Sequence, residues 1–498
     1  MGALENGYPE GMDYLKLAFN IISPKHIALC LNLAGKSCVN LSNTFTYAEL
    51  GAGFGVSIAG WAAQYPQGEF HSIDYNSNQT QWTRRLADMS GLDNLFVHNC
   101  TINQALSIQL PHFDFIIIHG VYSWVSDDVR GECRAFINKF LKPGGCVYLS
   151  YNAMPGFKDI APMRALIQEW VSADMQDNPL EALKGGLDLL RKLKDGKAGF
   201  FENSPLAVNR LEHWLSDAPQ YLMAELLGKQ HKAYHFNELL VELAEAGVAW
   251  ACSADLIHYL ASLNPPPALK QVLPLTHGNT MGETVKDMFY NTTFRTDLFV
   301  RQGHGDTVPF TESLSETHFC LAHVHEPMPD KASRHNFHAL LEKDIFRLLQ
   351  AGMKTASPSI RQLMGSLGKA YEEVLESLCI LMALDWVHPA TPHALPSISQ
   401  RVKRFNLCLQ NLAGSETIMP VLSARSGWIE SRDQLESLCI MARLREEPLK
   451  EYLLQFLSKE NTAAGSEAER AVLENDIKAY LSLGEKRIEN FLKRHALH

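Results

Sequence analysis

Glu49, Gly51, Gly53, Gly55 and Asp74 are the residues whose types and spacing point most directly to chemistry. Three glycines stand at every second position, directly after an apolar stretch that ends in Glu49-Leu50. Glycines let a backbone approach a ligand closely, and a following helix N-terminus offers unpaired N–H groups. An acid about 20 residues further on can accept the two hydroxyls of a ribose. Asp74 holds that place, with Tyr75 beside it. The set predicts a ligand that contains a nucleoside.

The elements that must position these residues follow from the pattern. Phe45 to Leu50 reads as a strand, the residues from Val56 as a helix, and Glu69 to Ile73 as a second strand. Leu95 to Cys100, Phe113 to His119 and Cys146 to Tyr151 read as three more, with helices over 79–89 and 130–140. Strands alternating with helices imply an α/β fold with a Rossmann-like, doubly wound, mostly parallel sheet. Ser23-Pro24 predicts the start of a leading helix, which covers either the ligand site or a sheet edge. Residues 160–230 read as helical, with a flexible Gly/Lys-rich patch at 184–199. Val248 to Ser253 and Phe294 to Arg301 read as strands that either complete the core sheet or belong to a separate middle domain. The reading divides the chain into a ligand-binding domain (1–159), a helical insertion or dimerisation region (160–232), a middle region (233–305) and a mostly helical C-terminal accessory region (306–498). In the last, 303–317 reads as a linker, and 337–349 and 359–384 as helix-rich.

Composition narrows the partners. The 498 residues carry a net charge of −10, which argues against a nucleic-acid partner. Ten cysteines are scattered with no C-x-x-C pair, as expected of free thiols in a reducing compartment. There is no basic region followed by an apolar run at the N-terminus and no apolar run of about 18 residues, so neither a signal peptide nor a membrane span is expected. The cytoplasm is the expected location. His318-x-Cys320-x-x-His323-x-His325, with His335 and His338 behind it, does not converge as metal ligands would, so no metal is expected. Lys486-Arg487 and Lys493-Arg494 read as the solvated face of a terminal helix.

Glycines and a terminal Asp suit both NAD and S-adenosylmethionine. The dinucleotide fingerprint G-x-G-x-x-G fails, because its third glycine falls on Val56. Glu49 is also the wrong residue beside a pyrophosphate, but a carboxylate helps near a sulfonium or an ammonium. Here the chain resembles the class I S-adenosylmethionine-dependent methyltransferases. Their E/D-x-G-x-G-x-G motif stands at Glu49 to Gly55, their second-strand acid at Asp74, and their L-K-P-G-G turn at Leu141 to Gly145. The class often places an acid at the end of strand three to receive the adenine amino group; here the position holds Asn99 or Cys100.

Two loops sharpen the resemblance. His119-Gly-Val-Tyr122-Ser-Trp124-Val125 and Tyr151-Asn-Ala-Met-Pro-Gly-Phe157 follow strands four and five. They resemble loops of bacterial methyltransferases that carry a methyltransferase regulatory domain, a family that includes rickettsial protein lysine methyltransferases. Ser23 to Ile27 and Phe294 to Leu298 are similar to two further segments of that family. The resemblance implies S-adenosylmethionine as cofactor, helical accessory regions, an often dimeric assembly, and a protein substrate with accessible lysines.

Transfer to an amine needs alignment and a water-poor slot more than a strong base. Desolvation favours the neutral lysine that attacks, and aromatic faces hold cationic groups. Tyr122, Trp124, Tyr151 and Phe157 are the expected walls of that slot. The Tyr122 hydroxyl, or backbone carbonyls near His119, would orient the amine, with His119 a candidate proton acceptor. Two alternatives remain: a small-molecule or RNA methyltransferase with the same core, or a non-catalytic methyltransferase-like interaction protein.

Overall fold

The structure, a computed structural model, describes residues 16–432 apart from 174–177, 218, 229, 264, 304–306, 309–313, 323–328, 335–336, 342, 354–355, 391–395, 414–418 and 424–428. Its centre is a seven-stranded sheet. The strands are β1 (Phe45–Leu50), β2 (Gly68–Asp74), β3 (Leu95–Asn99), β4 (Phe113–Ile118), β5 (Leu141–Asn152), β6 (Ala249–Ser253) and β7 (Phe294–Val300). Their order across the sheet is β3-β2-β1-β4-β5-β7-β6. The first five run parallel, and β7 lies antiparallel to both β5 and β6. The strand order reverses between β1 and β4, so a crevice opens at their carboxyl ends, where such sheets bind ligands. The runs Phe-Asp-Phe-Ile-Ile-Ile in β4 and Cys-Val-Tyr-Leu in β5 are almost wholly buried, as strands covered on both faces must be.

Helices α1 (Pro24–Leu33), α2 (Val56–Gln64), α3 (Ser77–Ser90) and α4 (Asp127–Phe140) flank the sheet. Ser23 caps α1 by accepting from the His26 N–H, with Pro24 at its first position. The segment leading into α1 crosses the crevice: the Phe19 N–H donates to Ser57 Oγ of α2 at 2.9 Å. Asn76 caps α3, and Ser126 caps α4.

The two late strands complete the core sheet, with α5 (Ala161–Ala173), α6 (Pro179–Asp195), α7 (Pro205–Ser216) and α8 (Pro219–Leu227) between β5 and β6. Most of the expected flexible patch is helix: α6 runs to Asp195 through Gly185 and Gly186, which lie against Trp170 and Ile167 of α5, and a Cβ on Gly185 would come within 2.8 Å of the Trp170 indole nitrogen. Lys and Gly there signal a solvated face and a close helix crossing. The Leu141–Gly145 turn opens β5 itself, with a register shift opposite Phe113 and Phe115.

The expected linker contributes Thr307–Val308, which pairs with Cys38–Val39. Residues 337–340 form a strand paired with 331–334, and the helix of that stretch begins only at Asp344. Ile360–Leu367 and Tyr371–Ala383 are helices, as the pattern predicts. His318–Leu321 pairs with Val387–Ala390; Cys320 is buried there, and His318 Nδ1 lies 2.6 Å from the Ser357 carbonyl. His323, His325, His335 and the terminal basic helix lie outside the described residues. Among the described residues no three His, Cys, Asp or Glu side chains converge as metal ligands, and no helix is long and apolar enough to cross a membrane.

Candidate active site

A cleft of about 1400 Å³ opens at the carboxyl ends of β1, β2 and β4. The glycine loop forms its floor. Gly51, Gly53 and Gly55 have φ of +72°, +57° and +58°, a region that favours glycine. A Cβ on Gly51 would lie 2.4 Å from Val121 Cγ2, and one on Gly55 2.6 Å from Thr83 Cγ2. No side chain caps the N-terminus of α2, so its first N–H groups remain for a ligand.

Asp74 closes this loop. Its Oδ2 accepts from the Gly53 N–H and its Oδ1 from the Asn76 N–H, both at 2.8 Å. Each oxygen keeps a further lone pair. Burial raises the Asp74 pKa, and these backbone N–H groups pull it back down. Glu49 is buried beside it, and its Oε2 has no hydrogen-bond partner. Burial first, and the Asp74 charge second, push the Glu49 carboxyl up to about 8. A buried carboxyl without a partner is costly unless a cation comes to it. The cradle therefore fits S-adenosylmethionine, whose sulfonium and ammonium are cationic and whose ribose suits Asp74.

The expected cofactor residues divide. Glu49, Gly51, Gly53, Gly55, Asp74, Tyr75, Cys100 and His119 all line the cleft. Asn99 does not: its side-chain amide donates to the Asp74 and Tyr75 carbonyls at 3.3 and 2.9 Å, bracing the two strand ends. His119 meets Tyr148 Oη at 3.0 Å through Nδ1 and the Phe19 ring at 4.3 Å, and burial pushes its pKa down to about 4.

The expected slot residues divide as well. Trp124 and Phe157 line the cleft, joined by an intervening His231 whose ring lies 4.7 and 4.4 Å from theirs. The Arg164 guanidinium sits 5.0 Å from the Trp124 ring. Tyr122 and Tyr151 are fully buried away from the cleft wall. The Tyr122 hydroxyl donates to Glu242 Oε2 at 3.0 Å and accepts from Arg134. The Tyr151 hydroxyl donates to Asp297 Oδ2 at 2.7 Å. Asp297 also bonds Arg295 and the Trp250 indole, and Arg295 continues to Asp287 and Glu283. Both tyrosines thus tie the core to the later strands and helices; alternation along β5 turns Tyr151 inward.

Sequence reasoning missed the residues that lengthen the cleft. Phe19 comes from the leading segment, Asn152 from the end of β5, Arg210 and Glu225 from α7 and α8, and Thr292 and Thr296 from around the start of β7. Glu225 Oε2 and the hydroxyls of Thr292 and Thr296 are buried with no hydrogen-bond partner. Polarity next to a strand end was the only sequence cue for the last two.

Fold and site together are those of a class I methyltransferase. Residues 48–147 match the model of a methyltransferase domain, and residues 218–301 that of a "predicted methyltransferase regulatory domain". An uncharacterized protein of Synechocystis is 28% identical over 461 residues, 91% of each chain. A protein of Rickettsia prowazekii is 31% identical over 197 residues, 39% of this chain and 76% of its own length. Among solved structures, PKMT2 from Rickettsia typhi in complex with AdoHcy shares the fold with a TM-score of 0.69 at 16% identity, covering 96% of this chain and 99% of that one. The chain belongs to the family of S-adenosylmethionine-dependent methyltransferases that carry a methyltransferase regulatory domain.

Proposed function

We propose that the protein methylates the ε-amino groups of lysine side chains in a protein substrate. The observation that supports this most is the far half of the cleft. Beyond the cofactor cradle it continues past Trp124 and Phe157 towards Glu225, whose buried carboxylate oxygen lacks a partner. The aromatic waist suits the apolar stem of a lysine whose amine reaches towards the cradle, and the unpaired carboxylate beyond it suits basic residues that flank that lysine. The likeness of fold to PKMT2 supports the same reading.

The bound cofactor supplies an electrophilic methyl group on a cationic sulfur. The chain's own residues do the rest. Glu49 provides negative charge beside the cradle, and Asp74 holds the glycine loop in place. Phe19 and its neighbours cover the crevice and exclude water, which lowers the pKa of an incoming ammonium. Trp124 and Phe157 confine the amine and hold it in line. With its pKa near 4, His119 is neutral at pH 7 and too weak a base to take a proton from an ammonium. Its role is to accept or donate a hydrogen bond at the reacting end, and the proton leaves to water before the amine enters.

The test is incubation with methyl-labelled S-adenosylmethionine and proteins from the source cell, with mass spectrometry of the labelled products. Methyl-lysine in protein is the expected result. Label found only in RNA or small molecules overturns the reading in favour of another acceptor.

A further inference from the structure

We propose that Glu132, on the second turn of α4, receives the exocyclic amino group of the cofactor's adenine and sets the selectivity for adenine over other purines. The corner of the cleft beyond Asp74 is walled by Ile73, Cys100, Ile102, Val121, Val125 and Val129. Such a wall suits a flat ring but offers nothing to an amino group. An N–H buried there without an acceptor weakens binding by roughly 10–100-fold.

The polar groups near this corner are mostly committed. The Asn99 amide nitrogen donates to two backbone carbonyls, outside the cleft wall. Thr101 Oγ1 accepts from the Gln104 N–H in a capping box. The Cys100 thiol is a weak acceptor. Both Asp74 oxygens hold backbone N–H groups, and their further lone pairs are the ones that suit the ribose. Glu132 remains. It lines the cleft three residues after Val129, so the two share one face of α4. The residue is of intermediate exposure, and its carboxylate accepts from the backbone N–H of Asn103, beside Ile102, which leaves it lone pairs for a second donor. The acid that the class often puts on a strand end is supplied here by a helix.

That helix is firmly held. Arg130 donates to the Tyr122 and Val125 carbonyls, and Arg134 reaches Tyr122 Oη, Glu242 and Glu245. The last two residues lie in the segment that matches the regulatory-domain model. The position of Glu132 thus depends on contacts from that segment.

The test is calorimetry with S-adenosylhomocysteine and with S-inosylhomocysteine, in which a carbonyl replaces the amino group. The wild-type protein should bind the adenosyl compound at least about 30-fold more tightly, since a carbonyl facing a carboxylate repels it. Glu132→Gln and Glu132→Ala should bring the two affinities within about threefold, with the melting temperature kept. Asp74→Ala should weaken both ligands alike. Equal affinity of the wild-type protein for the two ligands, including none for either, overturns the proposal. So does full preference in either Glu132 variant. The proposal rests on the cofactor and not on the acceptor, so loss of the preference alone leaves the lysine reading untouched, whereas binding of neither ligand overturns both.

Discussion

The Gly53 N–H donates to Asp74 Oδ2 at 2.8 Å, so the acid at the end of β2 shapes the glycine loop after β1 as well as lining the cleft. Asp74→Ala removes both effects. Loss of a hydrogen bond to a charged acceptor costs about 1.5–3 kcal/mol, so the dissociation constant for S-adenosylhomocysteine should rise about 10–100-fold. Calorimetry measures it directly.

Glu49 makes cofactor binding depend on pH. Its carboxyl in the free protein lies near 8, raised first by burial, and a cationic ligand favours its charged form. Binding therefore releases a proton. Between pH 6 and 7.5 the affinity for S-adenosylmethionine should climb by up to about tenfold per unit. In Glu49→Gln that slope should vanish. S-adenosylhomocysteine, without the sulfonium charge, should show a shallower slope in the wild-type protein.

The same group works against the unliganded fold. A carboxyl whose folded pKa is raised loses stability as pH rises from its ordinary value of 4.5 towards about 8. Glu49→Gln removes that loss. Its melting temperature should match the wild type near pH 4.5 and exceed it near pH 8. Scanning calorimetry at the two pH values checks the sign.

The four loop aromatics should separate into two groups. Tyr151→Phe leaves the buried Asp297 short of one donor, for a stability loss of about 1–3 kcal/mol, with cofactor affinity unchanged. Tyr122→Phe should behave likewise at Glu242. Trp124→Ala and Phe157→Ala, by contrast, should lower methyl transfer at least about tenfold through misalignment, while S-adenosylhomocysteine binds as before. Denaturant titration and single-turnover rates on one set of variants distinguish the groups.

Arg295 is the most consequential single charge in the core. It is 2% exposed and contacts Glu283, Asp287 and Asp297. Arg295→Met leaves those carboxylates in a buried place, with Lys286 still paired to Glu283. Breaking a buried pair costs about 3–5 kcal/mol. A matching fall in the urea midpoint is expected, and a midpoint within error of the wild type would show the network to be unimportant.

The sequence by itself determined what depends on neighbours along the chain. Period-two apolar runs, the alternating glycines and the acid at the next strand end are local patterns, so the parallel strands, the helices between them and the cradle at Glu49 to Asp74 were all legible. Charge and glycine content misled at 184–199, because a solvated helix face and a tight helix crossing look like a flexible stretch when the partner helix is unseen. Tertiary structure alone decided which side of a strand end faces the ligand. Tyr122 and Trp124 are two residues apart in one loop, yet one turns to Glu242 and the other to the cleft. It also decided that β6 and β7 close the sheet and that Asn99 spends its amide on backbone carbonyls. Those outcomes depend on partners between 24 and 154 residues away, and no local periodicity carries that information.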